Sequence, residues 1–399
     1  MARNVVLYPW HHFFHNLVFW QATWFLYFQT TLSASEAILL YVAYELSVTA
    51  LEVPSGYMSD RLGRRVTLIF SASAYAVGLV LLGWGGALGV LLVGQVLLGA
   101  ARAFVSGTDT ALLYQSLVAD GRAGEMEAQS LRAWRFGFIA LGLSAVTGGA
   151  MALVLDSLPF YASAIALCAA LVCAWRFTEP PQEGEMVASE LARMRDLLHR
   201  FRNPVLVWLF VLGVVMYAYS HIPFVFGQPF IAQALVGTGF SDEAPLVSGV
   251  ITALMMGLSV LVSLIAPALR GRLGLFALLL AAFAIQIGLA AALAISGSVF
   301  AISLLLLRMV PDSLSTPFIQ AHLQPLLGDE TRATFLSIKS FMGRLFFAAS
   351  LWMAAVSTTT VGEMPLADIQ VILRWYTGLG LLIFVVLAFA AGRVTRGQS

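Results

Sequence analysis

The side chains able to do chemistry in this 399-residue chain are charged groups set in apolar surroundings. Seven cations (Arg102, Arg132, Arg135, Arg308, Lys339, Arg344, Arg374) and four carboxylates (Glu45, Glu52, Asp109, Asp312) interrupt long stretches that otherwise carry no charge. An ionisable group in hydrocarbon costs roughly 2.5–3.5 kcal/mol on insertion scales, so each is a candidate for function. Two chemistries fit these types. Glu45 has no cation on its own helix; held neutral when dry and ionised when its surroundings hydrate, it can carry a proton, with Asp109 as a second candidate. Arginines suit two-pronged recognition of carboxylate or phosphate. Arg308 and Asp312 stand four apart and can bond along one helical face. Arg102 and Asp109 are ~10 Å apart along one helix and need partners elsewhere. If every carboxylate takes a cation and Arg374 snorkels, two positives remain to be met by a wet cavity or an anion.

The elements that must hold these groups are membrane spans. Sixty per cent of the residues are hydrophobic and 11% charged, against roughly 25% charged in an average soluble domain. A net charge of +1 offers no basic field for nucleic acid. Residues 4–35, 66–101, 136–155, 157–175, 203–241, 244–269 and 273–307 contain no Asp, Glu, Lys or Arg. A span needs about 20 such residues. Breakers divide the overlong runs at Gly83-Trp84-Gly85-Gly86 and Ser296-Gly297-Ser298, whereas Pro223 and Pro229 kink one long helix. With 36–58, 298–325, 331–357 and 367–392 the count is twelve spans. Of 22 Lys plus Arg, 15 fall in alternate connections or tails, and the opposite set of connections has none. The positive-inside rule therefore places both termini in the cytoplasm.

The chain repeats itself. Arg61-Leu62-Gly63 recurs as Arg272-Leu273-Gly274, Arg102 as Arg308, and Ser130-Leu131-Arg132 as Ser337-Ile338-Lys339, at offsets of 211, 206 and 207 residues. The expected architecture is all-α, with twelve transmembrane helices in two pseudo-symmetric six-helix bundles, residues 1–178 and 203–399. Between them, 179–202 reads as a cytoplasmic linker whose Val187, Leu191, Met194, Leu198 and Phe201 form one face of an amphipathic helix.

After span two, Gly56-Tyr57-Met58-Ser59-Asp60-Arg61-Leu62-Gly63-Arg64-Arg65 resembles, at every fixed position, the G-x-x-x-D-R-x-G-R-R loop of the major facilitator superfamily. The preceding Glu52-Val53-Pro54-Ser55 looks like the lead-in of bacterial exporter-like members, and Arg102 with Gly107 is similar to their R-x-x-x-x-G element. The fifth span keeps Gly148-Gly149 but lacks the proline usual in antiporters, which weakens drug/proton antiport. The second-half loop lacks the aspartate, so the resemblance assigns a cytoplasmic gate to the first half, at Glu52, Gly56, Asp60, Arg61, Gly63, Arg64 and Arg65. Glycines 56 and 63 are read as making a tight turn, Asp60 as meeting a neighbouring helix N-terminus, and the arginines as bridging carboxylates.

These readings imply a monomeric secondary transporter in a bacterial inner membrane. It would work by alternating access around a central cavity that uses Arg102, Arg135, Arg308, Asp312 and Arg344. The partners would be a small-molecule substrate, protons and the bilayer. Two substrate classes compete: an amphipathic compound exported against proton entry, and a small organic anion. A non-transporting membrane enzyme or assembly subunit is the alternative, but no nucleophile elbow or phosphate loop is present and no cofactor is called for. His11, His12 and His15 open span one among Tyr8, Trp10, Phe13 and Phe14; an interfacial aromatic belt explains them better than a metal site. His221 and Met255-Met256 read as kink and packing residues.

Overall fold

A computed structural model describes residues 1–181, 199–323, 326–327, 329–358 and 363–396, with the side chains of 329–334 and 394–396 left aside. Most of the proposed linker helix lies outside them. Among the described residues there is no strand, and eleven helices are long and apolar enough to cross a membrane. The first apolar stretch supplies the remaining span in pieces. It divides into α1 (Ala2–His15), a 3-10 turn (Phe19–Ala22) and α2 (Trp24–Gln29).

The next helices are α3 (Ala34–Leu62), α4 (Arg64–Trp84), α5 (Leu88–Val105), α6 (Thr108–Ala119), α7 (Met126–Ala152) and α8 (Leu158–Arg176). Ser33 and Glu36 start α3 with a reciprocal capping box, each satisfying a backbone N–H that the first turn leaves without a partner. The second half contains α9 (Pro204–Leu235), α10 (Ala244–Leu273), α11 (Leu275–Ile295), α12 (Val299–Ile302), α13 (Val310–Leu323), α14 (Asp329–Ser357) and α15 (Leu366–Arg396). As the prolines imply, α9 is one long helix with Pro223 and Pro229 inside it.

The loop motif corrects one expectation. Gly56 makes no turn: α3 runs through it to Leu62, and a single residue, Gly63, separates α3 from α4. Open space surrounds the position where a Cβ at residue 56 would stand. Gly63 carries the reversal alone, at φ +98°, and its repeat Gly274 at φ +80° does the same between α10 and α11. A side chain disfavours that backbone region, so the repeated Arg-Leu-Gly has a shared structural cause.

Two compact units emerge. One comprises Met1–Gly184 with Gly239–Ala253 and Thr359–Glu363; the other comprises Glu185–Thr238, Leu254–Thr358 and Met364–Ser399. In the first, Gly148 and Gly149 on α7 permit close backbone approach. The Phe19 carbonyl rests on Gly148, and Pro245 and Leu246 rest on Gly149. Gly249 meets the Ala145 carbonyl in the same way. The glycine pair kept in span five is thus a packing device.

Leu62 and Thr238 are both exposed and lie at opposite ends of the expected topology. In a background with Cys168 and Cys173 replaced by serine, Leu62→Cys should label only from the cytoplasmic side and Thr238→Cys only from the other. Labelling of both from one side contradicts the topology.

Candidate functional site

Arg102, Asp109, Arg308 and Asp312 sit where spans break. In the fourth span, α5 ends at Val105, Gly107 takes φ +76°, and α6 begins at Thr108. Arg102 therefore occupies the last turn of one helix and Asp109 the first turn of the next. The single helix expected to carry both is interrupted between them. Arg102 is exposed although Ala101 and Ala103 beside it are buried. Asp109 lies at a helix N-terminus, where the dipole favours an anion. Its Oδ1 accepts the Thr110 N–H at 2.7 Å, and its Oδ2 receives the Tyr8 hydroxyl at 3.5 Å.

Across from them stands the broken first span. The His12 imidazole lies over Gly137 of α7, where a Cβ would come within 2.9 Å of the ring, and it stacks on Tyr8. His12 feels the charges of both Asp109 and Arg102. His11 is 2% exposed, packed on Phe177, and the Nε2 atoms of His11 and His15 find no hydrogen-bond partner among the described residues. The histidines thus belong to the helix packing around Arg102 and Asp109, which corrects their assignment to an interfacial belt. Their aromatic neighbours concealed this, because a belt and a buried aromatic stack have the same composition. Irregular backbone at the break is anchored in protein: the Phe19 N–H reaches Ser163 Oγ at 2.9 Å and Asn16 Nδ2 donates to the His12 carbonyl at 2.7 Å.

The second unit repeats the device. Its tenth span runs through α12, a 3-10 stretch (Ser303–Leu307) and α13, with Arg308 at the junction. Arg308 Nε donates to the Ser220 carbonyl at 3.3 Å, and its guanidinium lies 4.9 Å from the Phe224 ring centroid. Pro223, which withholds a backbone N–H from this part of α9, stands between those two contacts. Asp312, in the first turn of α13, feels the charges of Arg308 and Lys339. Arg344 lies over Tyr217 at 5.4 Å, and Tyr217 also packs on His221, whose Nδ1 is 2.7 Å from the Tyr217 carbonyl. His221 is thereby part of this cluster. Among the described residues no group of three or more His, Cys, Asp or Glu is arranged to hold a metal.

The remaining candidates of the first half stand on α3 and α7. Glu45 is 1% exposed within α3. Arg132 and Arg135 are exposed on α7, Arg132 over Phe136. The Asp60 side chain is 74% exposed and 4.0 Å from Arg64; Arg61 lies over Tyr57. Glu52, half-buried, accepts the Ser55 hydroxyl on its carbonyl.

The anion at the α4 N-terminus is Glu179, which the sequence reading passed over. Its carboxylate accepts the Arg64 and Arg65 backbone N–H groups at 2.6 and 2.8 Å and packs against Gly63. Arg64 Nε bonds Gln115 and Arg65 bonds the Trp175 carbonyl, while Asn4 pairs with Thr178 and Ser116. The loop motif is thus tied to the end of α8 within its own half. An acidic residue opening the linker was visible in sequence; its partners 115 residues earlier were not.

The family model of the Major Facilitator Superfamily matches residues 10–351. The chain belongs to that superfamily. It is a multi-pass integral membrane protein and a secondary transporter of a small molecule. Solved structures agree. The nucleoside transporter NupG superposes with TM-score 0.77 at 15% identity, covering 97% of this chain and 99% of that one. The POT family transporter PepTSo gives 0.77 at 12% identity, covering 99% of each. A D-xylose-proton symporter gives 0.70 at 13%, covering 97% of each. At such identity the likeness is one of fold. No curated protein sequence matches the chain.

Glu179→Ala should lower stability by about 1 kcal/mol, the usual effect of losing a helix cap, read as a lower thermal midpoint in detergent. An unchanged midpoint would mean the cap contributes nothing.

Proposed function

We propose that this transporter moves a small organic anion, coupled to protons, by alternating access. The observation that carries the reading is the placement of Arg102 and Arg308 at helix interruptions in equivalent spans of the two halves. A broken helix at membrane depth is tolerated where protein or a water-filled cavity meets its free backbone groups, and such breaks mark transporter binding sites. A guanidinium there supplies two parallel donors for a carboxylate or phosphate. The aromatic face beneath Arg308 favours a ligand with a flat or apolar portion beside its charge.

Glu45 is the proton carrier in this reading. Its near-complete burial in a span supports neutrality when the site is dry and ionisation when water reaches it. Asp109, tethered to Tyr8 and adjacent to His12, is the second titratable group on the route. Asp60, Arg61, Arg64 and Arg65 serve the cytoplasmic gate, with Glu179 holding their turn in place. The exporter-like lead-in from Glu52 supports outward movement of the substrate.

A thermal-shift screen of small carboxylates, organophosphates and lipophilic cations identifies the ligand class. Arg102→Gln and Arg308→Gln should each weaken binding of the best anion about 10- to 100-fold, matching about 1.5–3 kcal/mol for a charged hydrogen bond. Glu45→Gln should abolish substrate-driven proton flux in vesicles while binding persists. A cationic best ligand, or wild-type affinity in both arginine variants, overturns the anion assignment; full proton flux in Glu45→Gln overturns the carrier.

A further inference from the structure

The last two helices carry a cavity unrelated to the broken spans. Although consecutive and antiparallel, α14 and α15 part to leave about 980 Å³ between Ser350–Ser357 and Val371–Leu382. The walls are apolar, with Met353 and Ala354 on one side and Leu379 and Leu382 on the other. The hydroxyls at its floor are already engaged, Tyr376 donating to Ser350 Oγ at 2.9 Å. Met353 and Trp375 are 69% and 78% exposed along the rim. Water gains little in such a space, because it needs several polar partners. Hydrocarbon fits it.

One charge breaks the pattern. Arg374 lines the cavity, is exposed, and makes no hydrogen bond, ion pair or ring contact among the described residues. It lies eight residues into α15, about 12 Å along the axis at 1.5 Å per residue, and its stem lets the guanidinium reach back toward the nearer membrane surface. Leu382 is eight residues deeper. The cleft is therefore graded along the helix axes, cationic toward the surface and mainly apolar toward the middle, where the Tyr376 and Ser350 hydroxyls satisfy one another. A phospholipid has the same gradation. Its phosphate would satisfy two guanidinium donors, and its chains would fill space that is costly to leave empty.

We propose that this cleft binds one anionic phospholipid from the leaflet opposite the C-terminus. The site is separate from the anion-binding arginines of the transport reading and stands or falls independently of it. Net negative charge is the selective feature: in a zwitterionic lipid the headgroup amine competes with Arg374 for the phosphate, whereas an anionic headgroup leaves the phosphate to it.

The test uses the purified full-length chain, probed with phosphatidylglycerol and phosphatidylcholine by native mass spectrometry and by thermal shift. The wild type should retain one phosphatidylglycerol and bind it at least tenfold more tightly than phosphatidylcholine. Arg374→Gln should erase that preference. Gly378→Leu fills the cleft from a position with nothing within 4 Å of the added Cβ, so folding tolerates it, and it should lower affinity for both lipids about tenfold. Equal affinity for the two lipids in the wild type overturns the proposal. So does an undiminished preference in Arg374→Gln, or undiminished binding in Gly378→Leu.

Discussion

Hydrocarbon offers no hydrogen bonds, and a backbone N–H or C=O left bare in it costs several kcal/mol. That constraint makes the interruptions of the first, fourth and tenth spans the informative part of this fold. Around Asn16–Ala22 the protein itself meets the freed groups, through Ser163 and the crevice over Gly148. At Gly107 and at Arg308 the chain instead sets charges beside the gap, a cation before it or within it and a carboxylate in the first turn beyond. Each carboxylate gains from the helix dipole behind it. The cations differ: Arg308 is held by the Ser220 carbonyl and the Phe224 ring, whereas Arg102 is exposed.

The two units reach this arrangement by different means. In the first, the partners are His12 and the Tyr8 hydroxyl, which reaches Asp109. In the second, Arg308 is fixed by a carbonyl and an aromatic face on a proline-kinked helix, and Lys339 shares Asp312. The repeat therefore preserves the position of the arginine while its surroundings diverge.

Much of this was legible in the sequence. Charge-free runs marked the spans because lipid excludes charge, and Arg-Leu-Gly marked a turn in each half because only glycine sits easily at positive φ. Arg102 and Arg308 matched at nearly the same offset as those turns. The breaks themselves were not legible. Ser106-Gly107 and Asn16-Leu17-Val18 are ordinary residues for a membrane helix; the first break shows itself only in the positive φ of Gly107, and the second is held by a contact with Ser163 from a distant helix. Gly56 shows the converse, a glycine of a turn-like motif that remains helical because nothing opposes α3 continuing. Glu179 depended on chain closure over 115 residues, which no local pattern records.

Anion binding at Arg102 requires the interruption between Arg102 and Asp109 to open onto water inside the membrane. Ser106, exposed at the break, reports on it directly. In reconstituted protein lacking Cys168 and Cys173, Ser106→Cys should react with a charged, membrane-impermeant thiol reagent, and the anion that binds best should slow that reaction. Failure of Ser106→Cys to react, while Thr238→Cys in the same vesicles reacts fully, would show the break to be dry and contradict the account.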